Sequence, residues 1–85
     1  MSDNSMADIQ FQREHNRAVA IADGNVIGEC TFQDLGDTWV IDHTGVKEEY
    51  GGRGIAKQLV LCVMEQAKVA RVQLSATCPY AKKFV

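Results

Sequence analysis

At 85 residues, 46% hydrophobic and 24% charged, the chain has the composition of one globular domain with a single small core. Its formal net charge is −2 and no basic run exceeds two residues, which argues against a nucleic-acid binder working by phosphate neutralisation. No apolar stretch approaches membrane-spanning length and the polar start MSDNSMAD has no signal-peptide hydrophobic region, so no membrane partner and a cytoplasmic location are expected.

Residues 1–7 read as a flexible lead-in and residues 8–85 as one domain. Ile9 and Phe11 alternate with polar neighbours, and RAVAIA then runs into DGN, a turn that tolerates positive φ. Beyond it, period-2 counting puts Val26, Gly28, Cys30 and Phe32 on one face and Ile27, Glu29, Thr31 and Gln33 on the other. DLGD is a second turn, and TWVIDHTGV is a further strand rich in β-branched and aromatic residues. The first half is therefore predicted to be an antiparallel meander. In the second half Ala56, Leu59, Val60, Val63, Ala67 and Ala70 recur at helical spacing, which predicts a helix from about Arg53 to about Ala70. RVQLSATC alternates again, with Val72, Leu74 and Ala76 on one side, and Pro79 stops or redirects it. A closing strand–helix–strand unit favours a parallel pair. The predicted class is α+β, a mostly antiparallel sheet with one long helix on one face and the final strand parallel to the strand before the glycine loop.

That loop, in EEYGGRGIAKQL, places three of the chain's seven glycines within four positions directly ahead of the helix. Glycine is entropically costly and is kept for places where nothing larger fits, so something is expected to approach this backbone closely. A P-loop requires Lys and then Ser or Thr straight after its last glycine, whereas Ile55 and Ala56 follow Gly54 here. A dinucleotide fingerprint counted from Gly52 and Gly54 requires a third glycine where Lys57 stands, and no acidic residue lies near the end of the following strand to hold a ribose. Both templates fail.

The stretch resembles the pyrophosphate loop of the GNAT acetyltransferase superfamily: Gln or Arg, two variable residues, Gly, one variable residue, then Gly or Ala. Gly54 and Ala56 fill the last two defined places, while Gly51 stands where Gln or Arg is usual. WVIDHTGV, YGGRGIAKQLV and CPYAKKF, in this order, are similar to the short single-domain YjdJ-type branch of that superfamily, over most of the chain from about Phe11. The resemblance implies a compact sheet with one main helix that binds acetyl-CoA. It would place the pyrophosphate on Gly51, Gly52, Arg53, Gly54, Ile55 and Ala56, where loop amides and the helix dipole favour an anion. The pantetheine arm would run along the backbone of HTGV, which brings in Thr44, Gly45 and Val46, with amides near Val46 stabilising the oxyanion.

The same resemblance places the thioester at the end of the last strand, beside Cys78, a candidate nucleophile or proton donor to the leaving thiolate. A small core side chain is the alternative for that thiol, and nothing near it in sequence lowers its pKa. His43 is a candidate general base for an incoming amine, or else a strand residue that only hydrogen-bonds. Tyr80 can close over the cofactor or donate a proton, and Lys83, with Lys82, can meet the 3′-phosphate of coenzyme A or simply be solvated. Trp39 and Tyr50 are expected to pack, and Glu48 and Glu49 to be exposed. Cys30, Cys62 and Cys78 lack the spacing of a zinc site and the density of a disulfide scaffold, so they are read as free thiols and no metal is expected. Two functional readings follow: an N-acetyltransferase acting from acetyl-CoA on an unidentified amine, or a module that binds coenzyme A or its acyl form without turnover.

Overall fold

Asp23 and Gly24 both take left-handed backbone, φ 52° and 78°, the twist that a two-residue hairpin requires. In the computed structural model, which describes residues 7–85, this turn joins β2 (Arg17–Ala22) to β3 (Asn25–Asp34). β1 (Asp8–Gln12) pairs antiparallel with β2, β3 pairs antiparallel with β4 (Thr38–Val46), and the helix α1 (Ile55–Ala70) leads back to β5 (Gln73–Ala76), which is parallel to β4. The sheet order is therefore β1-β2-β3-β4-β5, the α+β arrangement expected from the sequence. The lead-in expected over residues 1–7 lies, Ala7 apart, outside the described residues. No helix of the described residues is long and apolar enough to cross a membrane.

α1 begins two residues later than the predicted Arg53, because Gly52 and Gly54 sit at φ 76° and 78°, where a right-handed helix cannot start. It ends at Ala70 as expected. Arg71, at φ 61°, closes it by donating its N–H to the carbonyls of Ala67 and Lys68. The buried stripe is Ile55, Leu59, Val60, Val63 and Ala67. It packs on Ala18, Ala20, Cys30, Phe32, Trp39, Ile41 and Ala76 of the sheet. Fully burying each Leu, Ile or Val contributes about 1.5–3 kcal/mol, so this face is a large part of what holds the helix to the sheet.

Two β-bulges decide which side chains face the helix. Ala20 pairs with Gly28 but Ile21 pairs with Val26, which leaves Ile27 as an inserted residue in β3. The insertion reverses the phase, so Ile27 is buried and Val26 is 43% exposed, the opposite of the simple alternation. In β4, Thr31 pairs with His43 and Phe32 with Ile41, so Asp42 is the inserted residue. Trp39 and Ile41 face the helix before it. After it Thr44 and Val46 do, opposite Cys30 and Gly28, while His43 and Gly45 turn to the other face of the sheet.

Candidate functional site

β4 and β5 run together for only four residue pairs, from Thr38–Gln73 to Ile41–Ala76. The amides of Thr77 and Cys78 then both converge on the Ile41 carbonyl, at 2.9 and 3.2 Å, and the chain turns away through Pro79 into a short 3₁₀ turn, Ala81–Lys83. The rest of β4 is left without a partner on that side. Lys47 donates its amide to the Ile27 carbonyl of β3, at 2.8 Å. By strand alternation Gly45 also turns its main-chain groups to β3, and Thr44 and Val46 turn theirs to the open edge. The two strands form a fork whose inner edge offers a strand's hydrogen-bonding groups.

Cys78 sits in the crotch of this fork, 7% exposed. It donates its S–H to Thr44 Oγ1 at 3.7 Å, and the Thr44 hydroxyl donates to Cys30 Sγ at 3.5 Å. Burial alone would raise the Cys78 thiol. The amides of Ala81, Tyr80 and Thr44 and the Thr44 hydroxyl outweigh it and hold the thiol below its ordinary value. This corrects the sequence expectation that nothing nearby lowers it, because three of the four groups are main-chain amides brought in by the 3₁₀ turn and by β4. Cys30 is the contrast: fully buried, its thiol is pushed up to about 11, with Thr44 opposing only in part.

His43 lies on the opposite face of the sheet. Its Nε2 is 3.9 Å from Glu29 Oε2, and Glu29 is in turn held by Arg17 at 3.1 Å. A Cβ on Gly45 would come within 3.1 Å of His43 Nε2, so glycine there leaves room for the ring. Glu29, His43, Gly45, Val46 and Lys47 line part of a cleft of about 460 Å³. The structure thus joins Cys78 and Thr44 on the helix side of β4 and sets His43 on the far side. Glu29, Ala81 and Cys30 are partners that sequence reasoning did not find. Tyr80 offers its amide to Cys78, while its ring packs on Phe84 at 5.4 Å. Lys83 places its ammonium 5.3 Å from the centre of the Tyr80 ring.

Between β4 and α1 the chain makes a 3₁₀ turn over Glu48–Tyr50 and then enters the glycine loop. Gly51 donates its amide to the Glu48 carbonyl at 2.9 Å, so that N–H closes the turn and is not offered to a ligand. From Gly52 onward the pattern changes. The first helical hydrogen bond is Gln58 N–H to the Gly54 carbonyl, at 3.1 Å. Among the described residues the amides of Gly52, Arg53, Gly54, Ile55, Ala56 and Lys57 donate to no main-chain carbonyl, and no side chain caps the helix. A Cβ added at Gly52 or Gly54 would meet no protein atom within 4 Å, so their surroundings are open and the left-handed backbone alone selects glycine. No acidic residue lies in the first turn of α1, and Arg53 adds a guanidinium 5.5 Å from the centre of the Tyr50 ring. Six free amides at a helix N-terminus, with a cation beside them, suit a phosphate.

A family model described as GCN5-related N-acetyl-transferase matches residues 14–85. Among solved structures, a GCN5-like protein from Staphylococcus aureus is 30% identical with a TM-score of 0.69, over 94% of this chain and 78% of its own. The ribosomal-protein-alanine N-acetyltransferase of Brucella melitensis biovar Abortus 2308 is 27% identical with a TM-score of 0.68, over 79% of this chain. The match spans 57% of the Brucella enzyme's length. An acetyltransferase from Elizabethkingia anophelis with acetyl-CoA bound is 24% identical with a TM-score of 0.63, over 71% of this chain and 40% of its own, and shares the fold. No curated protein matches the chain.

Proposed function

The chain belongs to the GCN5-related N-acetyltransferase family, and from that premise we propose that it transfers an acetyl group from acetyl-CoA to an amine. The order of WVIDHTGV, YGGRGIAKQLV and CPYAKKF supports the YjdJ-type branch within the family. Residues 8–85 act in this reading as one acetyl-CoA-binding domain, and the cytoplasm is the proposed location. The observation that carries the proposal is the parting of β4 and β5 after Ile41, which leaves the Thr44 carbonyl and the main chain of Val46 open beside Cys78, whose sulfur takes the Thr44 amide.

In this reading the edge of β4 pairs with the amide groups of the pantetheine arm, as a further strand would. The pyrophosphate lies on the amides from Gly52 to Ala56, with Arg53 at its flank. Gly51 serves the loop by shaping its turn, and Lys83 takes the 3′-phosphate. The Val46 amide faces the carbonyl oxygen and stabilises the negative charge that develops there. His43, steadied by Glu29, takes the proton from the acceptor amine on the free face of the sheet. Cys78 hands its S–H proton to the departing thiolate from the helix side, and its thiolate is held by the surrounding amides. The Tyr80 ring closes over the same end of the fork. The acceptor is an amine that reaches the His43 face.

Acetyl-CoA incubated with a panel of primary amines and polyamines, with release of free coenzyme thiol followed over time, tests the proposal. The expected result is a rate above the protein-free control that falls at least about a hundredfold in Cys78→Ala or His43→Ala. A wild-type rate equal to the control, with saturable coenzyme A binding, would leave the protein a binder without turnover.

A further inference from the structure

The Thr44 hydroxyl stands between two sulfurs that differ in everything but distance. Cys78 Sγ, 3.7 Å away, lies in the crotch of the fork, whereas Cys30 Sγ, 3.5 Å away, is sealed in the core with no exposure. The bulge at Asp42 puts the hydroxyl there, since unbroken alternation from Ile41 through Asp42 would turn Thr44 to the other side of the sheet. A valine of the same shape would fill the space equally well, so packing alone does not explain a hydroxyl at this position. A pantetheine arm paired with the strand's main chain would leave that side chain pointing at the sulfurs.

We propose that the Thr44 side chain is a positioning residue for Cys78, holding its sulfur at the open edge of β4 and turning its hydroxyl from Cys30 to Cys78 when Cys78 gives up its proton. This rests on the reading of Cys78 as proton donor. With Cys78 as a thiol, Cys78 S–H donates to the Thr44 oxygen and Thr44 O–H donates to Cys30. When Cys78 protonates the coenzyme thiolate, its S–H bond breaks and one S–H bond forms on the coenzyme, with no change of oxidation state. The Thr44 hydroxyl then rotates to donate to the Cys78 thiolate, and Cys30 donates its own S–H to the Thr44 oxygen. Three rotors move: the Cys78 S–H swings from Thr44 to the coenzyme, and the Thr44 O–H and Cys30 S–H turn after it. Cys30 suits the part because it is sealed in the core: burial, reinforced by Cys78, by Cys62 on α1 and by Asp42 on the bulge, pushes its thiol up to about 11, whereas the Cys78 thiol is held below its ordinary value. The amides of Tyr80, Ala81 and Thr44 complete the thiolate's donors and are the same in every side-chain variant.

The test needs no acetyl-CoA, so its outcome is independent of whether acetyl transfer is the right activity. Iodoacetamide alkylation of Cys78, quantified on its own peptide by mass spectrometry over a neutral-to-alkaline pH series, reports the thiolate fraction. In Thr44→Val the half-maximal pH should rise by about one unit, while Thr44→Ser should stay with wild type. Thr44→Ala serves as the second hydroxyl-free variant should the valine variant not fold. Cys30→Ala should raise the half-maximal pH in the same direction by a smaller amount. A Thr44→Val profile that overlays wild type, a Thr44→Ser profile displaced as far as valine's, or a Cys30→Ala profile unmoved would each overturn the proposal.

Discussion

Gly54→Ala separates what the glycine loop does for folding from what it does for binding. Gly54 caps α1 at φ 78°, ψ 13°, and an L-residue in this left-handed region costs about 1–2 kcal/mol. No protein atom lies within 4 Å of the added Cβ, so no steric contribution comes on top. For a domain of this size each kcal/mol lowers Tm by about 4–8 °C, so Gly54→Ala should melt about 4–16 °C below wild type. Gly36 is the internal control: it sits in the β3–β4 turn at φ 98°, again with nothing within 4 Å, and far from the loop in sequence. Gly36→Ala should therefore lose a similar amount of stability. The two should part on coenzyme A titrated calorimetrically at a temperature where both are folded. In the proposed reading the methyl at residue 54 stands where a phosphate would approach the free amides, and a loss of about 1.4 kcal/mol, tenfold in Kd, is the least expected. Gly36→Ala should bind as wild type does. Equal coenzyme affinity in all three proteins would refute the assignment of this loop to phosphate.

Cys30 makes stability depend on pH in a window fixed by its burial. Its folded pKa of about 11 lies above that of an unfolded thiol, so the stabilisation is complete below the unfolded value and is lost as pH climbs towards about 11. About 3 kcal/mol should disappear over that interval by linkage. Urea midpoints of Cys30→Ala should fall less steeply there than those of wild type, and identical slopes would count against it. Gly28→Ala tests the packing above β3: its Cβ would come within 3.0 Å of Val46 Cγ2, 3.2 Å of the Gly45 carbonyl and 3.2 Å of Leu59 Cδ1. The carbonyl cannot rotate away, so crowding of about 1–3 kcal/mol should outweigh the lower chain entropy of alanine, and a variant as stable as wild type in urea would contradict this.

The elements were legible because each carries its own period. The stripe from Leu59 to Ala67 and the DGN turn both read true in the structure. What alternation could not reveal is where it breaks. Nothing in VIGECTF or WVIDHTGV marks Ile27 or Asp42 as an inserted residue, because a bulge is a property of two paired strands and not of one. Simple alternation therefore exchanges the faces of Val26 and Ile27. The glycine loop was visible as a motif, but the amides it leaves free depend on backbone bonds, and these withdraw Gly51 while leaving Gly52 to Lys57. Cys78 was visible as a residue, while its surroundings were not. Thr44 is 34 positions away, and the Ala81 amide is aimed only by the 3₁₀ turn that follows Pro79.

Asp42 adds one step to β4, and with it the strand sorts its neighbours by parity: residues 43 and 45 look to one side of the sheet, 44 and 46 to the other. A carbonyl lodged at the strand's edge is then open to an incoming nitrogen from above and a departing sulfur from below, so under the proposed chemistry neither reactant must vacate the cleft for the other. Were Asp42 to take a regular place in the pairing and not an inserted one, histidine and threonine would each fall on the wrong side at a stroke, an exchange that no substitution at either position can imitate.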